Sequence, residues 1–252
     1  MLACLVWTAA LGGLYGADLL GRVNPELVEV YDLNYIGQVV PTPQQVRYWD
    51  EYLPLVDANG DVVGAVSVEA SAPKTVLIAA AELSAQAGYL TGLPRGRKQF
   101  LLPVLPPSDA RLRRASTIIQ LQVVRPGELP EAARGRPGGY TVSCRRTEDK
   151  WQVVVSAAEA TGLYYGVQSL LQLMSVRGNQ VVLRRVEIRD WPAYSIRAHQ
   201  YDGGFPRPEQ ARYSLKWAAK FKLNQLGFGQ AYDRPMQWRQ LTAEQRKSVE
   251  YL

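Results

Sequence analysis

Residues 160–173 read ATGLYYGVQSLLQL, and VVLRRVEIRDWP at 181–192 and YSIRAHQYD at 194–202 follow them closely. Apolar residues in and just after the first segment recur at the spacing of an amphipathic helix: Leu163, Val167, Leu170, Leu171 and Met174. Ser156 and Glu159 have the spacing of a capping box in front of this helix. Residues 181–188 have the composition of a strand. The region therefore predicts a helix, a strand, an Asp-Trp-Pro corner and a new strand.

The residues upstream of this helix predict several more strands and a second helix. Pro73 suits the first turn of that helix, apolar residues follow it at helical spacing, and Gly88 is in a position to end it. Asn59-Gly60 favours a tight hairpin between two strands, and a second hairpin is predicted further along. The predicted strands cover residues 46–55, 62–68, 118–124, 140–144 and 151–155. We predict an α+β domain over residues 18–190 in which two helices cover one face of a sheet.

A different pattern begins after Pro192. A strand over 195–201 precedes a helix that starts at Pro208, and further segments predict a strand over 226–230 and a helix over 242–252. In the first of these helices, Arg212, Lys216 and Lys220 are four residues apart and lie on the face opposite its apolar residues. This alternation is typical of the start of a parallel α/β arrangement.

Composition excludes several classes of function. The chain of 252 residues has a formal net charge of +6, but its arginines are scattered, whereas a nucleic-acid site concentrates basic residues on one element. One histidine and 2 cysteines are too few for a multi-histidine or multi-cysteine metal site or for a disulfide framework. No glycine-rich phosphate loop precedes a helix. We therefore expect no metal, no cofactor and no nucleic-acid partner.

The first 17 residues form an apolar run that is too short to span a membrane comfortably and has the length of a signal-peptide core. This segment predicts export, which would make the mature protein secreted or periplasmic. A buried first helix and a misassigned start codon are the alternatives. Detection of Met1 at the start of the mature protein would exclude export with cleavage.

Three motifs resemble those of one enzyme family. Residues 160–173 resemble the second helix of the accessory domain of family-20 β-N-acetylhexosaminidases, whose pattern is Gly-Leu/Phe-Tyr-Gly-Val/Ala-Gln-Thr/Ser-Leu-Leu-Gln-Leu. The corner 189–194 resembles the segment that opens their catalytic barrel, and Lys222-Leu-Asn224 is similar to the end of their first barrel helix. The resemblance implies that residues 191–252 are the first βα units of a (β/α)8 TIM barrel. They are an incomplete barrel, because a whole one needs about 250 residues.

The resemblance also implies three substrate-binding residues. Arg197 falls where the family has an arginine that binds hydroxyls of the terminal sugar, and Asp202 and Asp233 fall near aspartates of the first two barrel strands. The five fixed N–H donors of an arginine suit neighbouring hydroxyls. An ion pair of Arg197 with Asp202 or Asp233 is the alternative for the arginine. Turn and cap positions are the alternative for the two aspartates.

The activity that the resemblance implies is hydrolysis of terminal N-acetylhexosamine by substrate-assisted retention. No Asp-Glu pair follows Pro192, so we expect the catalytic residues to be absent from this chain and the chain alone to be inactive. Two other classes remain open. One is another glycosidase with the same accessory domain, of the family-84 β-N-acetylglucosaminidase or α-glucuronidase type. The other is a carbohydrate-binding module without enzymatic activity.

Overall fold

The computed structural model describes residues 18–30, 37–92, 101–147, 149–201, 208–228 and 243. The chain divides into two compact units, Met1–Pro192 and Ala193–Leu252. The first unit contains a sheet of eight strands, and its strands are β1 Gln45–Val56, β2 Gly64–Val68, β3 Val104–Leu105, β4 Thr117–Val123, β5 Tyr140–Thr147, β6 Lys150–Ala157, β7 Met174–Arg177 and β8 Gln180–Asp190. The described residues of this unit also form two α-helices, α1 Lys74–Leu90 and α2 Ala160–Leu171.

The strand order in the sheet is β1-β8-β5-β6-β4-β2-β3, and β7 also pairs with β8. β4 pairs in parallel with both β2 and β6, and β2 pairs in parallel with β3. The other strand pairs are antiparallel, including the predicted hairpin of β5 and β6. The two helices contact each other, α1 contacts β2, β3 and β7, and α2 contacts β4, β5 and β6. The predicted α+β arrangement of a sheet and two helices is therefore confirmed.

The tight turn predicted at Asn59-Gly60 is present, but the two strands that it joins do not pair beyond it as a hairpin. β1 pairs with β8 along its length. Beside the turn it forms one antiparallel bridge, between Val56 and Val62, and the Leu55 carbonyl accepts from the Val63 N–H. All five residues of β2 are buried, which requires a neighbouring strand on each side and cover on both faces. The turn itself is present, but the Asp57 carboxylate closes it by accepting from the backbone N–H of Asn59 and of Asp61.

Both ends of α2 differ from the prediction. Ser156 lies inside β6 opposite Thr141, and Glu159 occupies the N-cap without a side-chain cap hydrogen bond, so the predicted capping box is absent. Met174 leaves the helix and begins β7 opposite Leu183. The side chain of Met174 is buried all the same. A single apolar residue predicts burial but does not distinguish a helix from a strand.

The Asp-Trp-Pro corner at the end of β8 is held by a buried polar network. The Tyr140 hydroxyl donates to Asp190 Oδ2 over 2.9 Å and lies 2.6 Å from Ser169 Oγ, while Asp190 Oδ1 accepts from the Gln44 backbone N–H. Burial and the neighbouring Asp190 carboxylate raise the pKa of Tyr140 well above 10.0. Asp190 is thus a structural residue that joins the strand end to α2.

The buried thiol of Cys144 on β5 predicts a dependence of stability on alkaline pH. Burial raises the pKa of this thiol from 9.0 to about 11. The folded protein holds the proton more tightly than the unfolded chain, so stability is intact below pH 9 and falls as the pH rises towards 11. Two pKa units correspond to a loss of about 2.7 kcal/mol.

Cys144→Ala removes this titration, so the variant is expected to lose less stability over the same pH window. Urea unfolding of the two proteins below pH 9 and near pH 11 measures the effect. The difference between their unfolding free energies should shrink by about 2–3 kcal/mol across the window. A difference that does not change with pH would contradict the prediction.

The second unit contains β9 Ala198–Tyr201, α3 Pro208–Lys220 and β10 Gln225–Phe228. β9 and β10 form a parallel pair with α3 between them in sequence, as the strand–helix–strand pattern predicts. Lys220, which was expected on the face opposite the apolar residues of α3, is buried, with Nζ 5.0 Å from the centre of the Trp217 ring. The predicted helix over 242–252 lies outside the described residues apart from Ala243.

Candidate functional site

Arg197 lies directly before β9, at the amino-terminal end of that strand. Its Nε donates to the Lys222 carbonyl over 2.7 Å, and its Nη1 donates to the Tyr194 carbonyl over 2.6 Å. The guanidinium is therefore directed into the protein by backbone acceptors on both sides of the strand start. These two contacts use the Nε–H and an N–H of Nη1, and the predicted role in binding a sugar stays a prediction.

The acceptor carbonyl of Lys222 is presented by the end of α3. Lys222 has a φ of 59°, its N–H donates to the Ala219 carbonyl, and the N–H of Leu223 donates to the Ala218 carbonyl. This pair of bonds is the Schellman arrangement that closes a helix, here with a lysine at the left-handed position where glycine is common. The closure turns the chain sharply and brings the residues after the helix next to β9.

Asn224 completes the connection between the helix end and Arg197. Its side-chain Oδ1 accepts from the Arg197 backbone N–H over 2.8 Å, and its Nδ2 donates to the Ser195 carbonyl over 2.7 Å. The backbone N–H groups of Asn224 and Gln225 both donate to the Arg197 carbonyl. The Lys-Leu-Asn motif therefore aligns β10 beside β9 and fixes the position of Arg197.

The other two predicted site residues cannot be joined to this arrangement. Asp202 follows the last residue of β9 in sequence, and it lies outside the described residues, as does Asp233. In parallel α/β structures the carboxyl ends of the strands carry the ligand-binding residues. By position in the sequence, Asp202 is next to such an end and Arg197 is at the opposite end of the strand.

Sequence reasoning did not predict an apolar pocket of about 360 Å³ in the second unit. His199 lines it together with aromatic and aliphatic side chains from α3 and the residues after it: Tyr213, Trp217, Ala218, Phe221 and Leu223. The Trp217 and Phe221 rings are stacked with their centroids 5.2 Å apart. Burial lowers the pKa of the adjacent Lys220 to about 8. The helical spacing of the three aromatic residues was the available signal.

Within the described ranges, no group of three histidine, cysteine, aspartate or glutamate side chains is placed to hold a metal ion. Nor does that part of the chain contain a helix long and apolar enough to cross a membrane.

Solved structures with similar folds come from several bacterial proteins. A β-N-acetylhexosaminidase from Bacteroides fragilis NCTC 9343 is 20% identical with a TM-score of 0.49, over 75% of this chain and 32% of that protein. A chitobiase from Flavobacterium johnsoniae is 17% identical with a TM-score of 0.49, over 75% of this chain and 26% of that one. A β-N-acetylhexosaminidase from Streptomyces coelicolor A3(2) is 21% identical with a TM-score of 0.49, over 77% of this chain and 34% of that protein. The chain spans about a third of the length of these proteins or less.

A search of the curated proteins finds no match to the chain. The family model described as "Glycosyl hydrolase family 20, domain 2" matches residues 37–191, which include α1, α2 and all strands of the large sheet. This match covers more than half of the chain, and the chain therefore belongs to glycosyl hydrolase family 20, of which it carries domain 2.

Proposed function

We propose that the protein to which this chain belongs is a glycoside hydrolase that removes terminal N-acetylhexosamine from glycans. The observation that carries the proposal is the match of residues 37–191 to domain 2 of glycosyl hydrolase family 20. The parallel pair of β9 and β10 with α3 between them is compatible with the first βα units of a (β/α)8 barrel directly after this domain. In such a barrel the active site lies at the carboxyl ends of the strands.

The proposed mechanism uses the substrate's own acetamide as the nucleophile. A glutamic acid protonates the leaving oxygen while the acetamide oxygen attacks the anomeric carbon, and an aspartate next to the glutamic acid orients the acetamide. Water then attacks the anomeric carbon from the face that the leaving group left, and the bond to the acetamide oxygen breaks, so the configuration is retained. The acidic residues after Pro192 are Asp202, Glu209, Asp233, Glu244 and Glu250, and none of them forms an Asp-Glu pair. We therefore expect this chain alone to be inactive.

Arg197, Asp202 and Asp233 have binding roles in this proposal. Arg197 donates to sugar hydroxyls, and the two aspartates accept from them. The support for the role of Arg197 is its place in the sequence, which resembles that of the sugar-binding arginine of family 20. Its position at the amino-terminal end of β9 counts against this role. The apolar run at residues 1–17 supports export of the enzyme to its glycan substrates.

Hydrolysis by the full-length protein tests the proposal. The substrates are chromogenic β-N-acetylglucosaminides whose acetyl group carries zero, one, two or three fluorine atoms. Fluorine withdraws electrons from the acetamide oxygen, so we expect the rate to fall steeply along the series if that oxygen is the nucleophile. The 252-residue chain is assayed beside it and is expected to release no product.

Two outcomes would contradict the proposal. If the full-length protein releases no N-acetylhexosamine, the proposed activity is contradicted. If the rate of hydrolysis does not change with the number of fluorine atoms, the proposed mechanism is contradicted. The sequence after Leu252 gives an independent check. An Asp-Glu pair about four strands into the barrel agrees with family 20, whereas adjacent aspartates agree with a family-84 type of enzyme.

A further inference from the structure

The face of the large sheet that points away from α1 and α2 contains a groove of about 740 Å³. A row of five polar side chains crosses it, one from each of five adjacent strands: Gln45 on β1, Arg189 on β8, Thr141 on β5, Ser156 on β6 and Gln122 on β4. Each is the direct cross-strand partner of the next. Adjacent strands are about 4.8 Å apart, so the row is about 19 Å long.

The side chains of this row are available to a ligand. Gln45 and Arg189 are exposed, and the other three are half-buried. Within the described part of the chain, none of the five makes a side-chain hydrogen bond or an ion pair. The row therefore presents amide, hydroxyl and guanidinium groups that the described residues leave unpaired.

A fixed loop forms one wall of the groove. Val124, Leu129 and Pro130 supply its apolar surface. The Arg134 guanidinium donates to the carbonyls of Gly127 and Leu129, over 3.2 and 3.3 Å. The groove therefore combines a polar floor with an apolar side that these bonds hold in place.

The chemistry of the groove selects among possible occupants. Its charged residues are three arginines and two glutamates, Arg47, Arg145, Arg189, Glu128 and Glu187, which is too balanced for a nucleic acid. The centre of a stable protein interface is apolar, whereas most side chains on the floor of this groove carry hydroxyl, amide or charged groups, with Val154 among them. An oligosaccharide matches both surfaces, because its hydroxyl and acetamide groups pair with the floor and its C–H faces contact the wall.

We propose that this open face binds an oligosaccharide of N-acetylhexosamine units along the row from Gln45 to Gln122. The identity of the sugar rests on the proposed function, but the site lies wholly within the first unit and contains none of the predicted catalytic or substrate-binding residues. Binding here holds a glycan chain on the enzyme while its terminal residue is removed elsewhere. The length of the row favours several linked sugars over one.

Titration of the 252-residue chain with chitotetraose, four linked N-acetylglucosamine units, tests the proposal. Calorimetry measures affinity, and backbone amide NMR shifts locate the ligand. We expect the largest shifts on β4, β5, β6 and β8, and at least tenfold weaker binding of N-acetylglucosamine itself. The double variant Gln122→Ala/Arg189→Ala is expected to bind chitotetraose about tenfold to a hundredfold more weakly, because two hydrogen-bonding groups of the row are lost.

Arg113→Ala/Arg114→Ala is the matched control, because both side chains are exposed and neither lines the groove. It is expected to bind like the unchanged chain. Absence of binding, shifts confined to residues after Pro192, or equal affinity of the two double variants would each overturn the proposal. So would amide shifts on this face that depend on protein concentration without sugar, since they would show that a second copy covers it.

The test separates this site from the proposed function. Hydrolysis of a chromogenic monosaccharide by the full-length protein does not need the groove, so either result can fail while the other succeeds.

Discussion

Gly162→Ala is expected to lower the free energy of unfolding of the chain by about 3 kcal/mol. Gly162 lies in the first turn of α2, where a Cβ atom would be 2.5 Å from the Gly139 carbonyl oxygen and 3.1 Å from the Ala157 Cβ. The nearest atom belongs to the backbone and has no rotamer through which to move aside. Alanine favours a helix over glycine by about 1 kcal/mol, and the steric overlap exceeds that gain.

A second glycine on the same helix face indicates that the close approach is continuous. A Cβ atom on Gly166 would be 2.5 Å from Val155 Cγ1 and 3.0 Å from Tyr140 Cδ2. The two glycines, four residues apart, let α2 lie directly on β5 and β6. The larger effect is expected at Gly162, because the side chains that face Gly166 can rearrange in part.

Gly127→Ala is the matched control for this prediction. Gly127 has no atom within 4 Å of the position of a new Cβ, and its φ is not positive. Its replacement is expected to leave stability unchanged or to raise it by about 0.5 kcal/mol. Urea unfolding followed by circular dichroism measures the free energy of unfolding of the unchanged chain, of Gly162→Ala and of Gly127→Ala. Equal stability of the Gly162 and Gly127 variants would show that α2 does not pack on the strands at this distance.

The elements that local patterns predict well are those whose periodicity is strong. The stripe Leu163, Val167, Leu170 and Leu171 correctly predicts a buried helix, and the β-branched runs correctly predict β4, β5 and β6. The failures concern which strands pair. A turn at Asn59-Gly60 is a local property, whereas the placement of β2 between β3 and β4 depends on segments about 40 to 50 residues further along the chain.

The sequence singled out Arg197 and the Lys-Leu-Asn motif, but not the contacts between them. Nothing in the sequence indicates that the carbonyl of Lys222 accepts from Arg197, because a left-handed lysine at a helix end has no sequence signal of its own. The groove on the open face was likewise not predictable from the sequence. Its five-residue row exists only in the observed register, since a shift of one strand by a single residue would turn its side chain to the other face.

Arg197→Ala in the full-length protein is expected to reduce kcat/KM about a hundredfold for a chromogenic N-acetylglucosaminide. Loss of two charge-assisted hydrogen bonds to the sugar corresponds to about 3 kcal/mol. The same change also removes the bonds to the carbonyls of Lys222 and Tyr194, which lowers stability. A decrease in activity alone therefore does not separate binding of the sugar from support of the strand.

Asn224→Ala supplies the comparison that separates these roles. Asn224 holds the same strand start through the Arg197 N–H and the Ser195 carbonyl, and the proposed function assigns it no contact with the sugar. We expect it to cost a similar amount of stability but to reduce kcat/KM tenfold or less, because the guanidinium remains. Both variants are compared at temperatures where thermal unfolding shows them folded. If the two reduce kcat/KM by the same factor, Arg197 acts only as a strand anchor. A loss at least tenfold greater for Arg197→Ala, in an equally folded protein, requires contact between its guanidinium and the substrate.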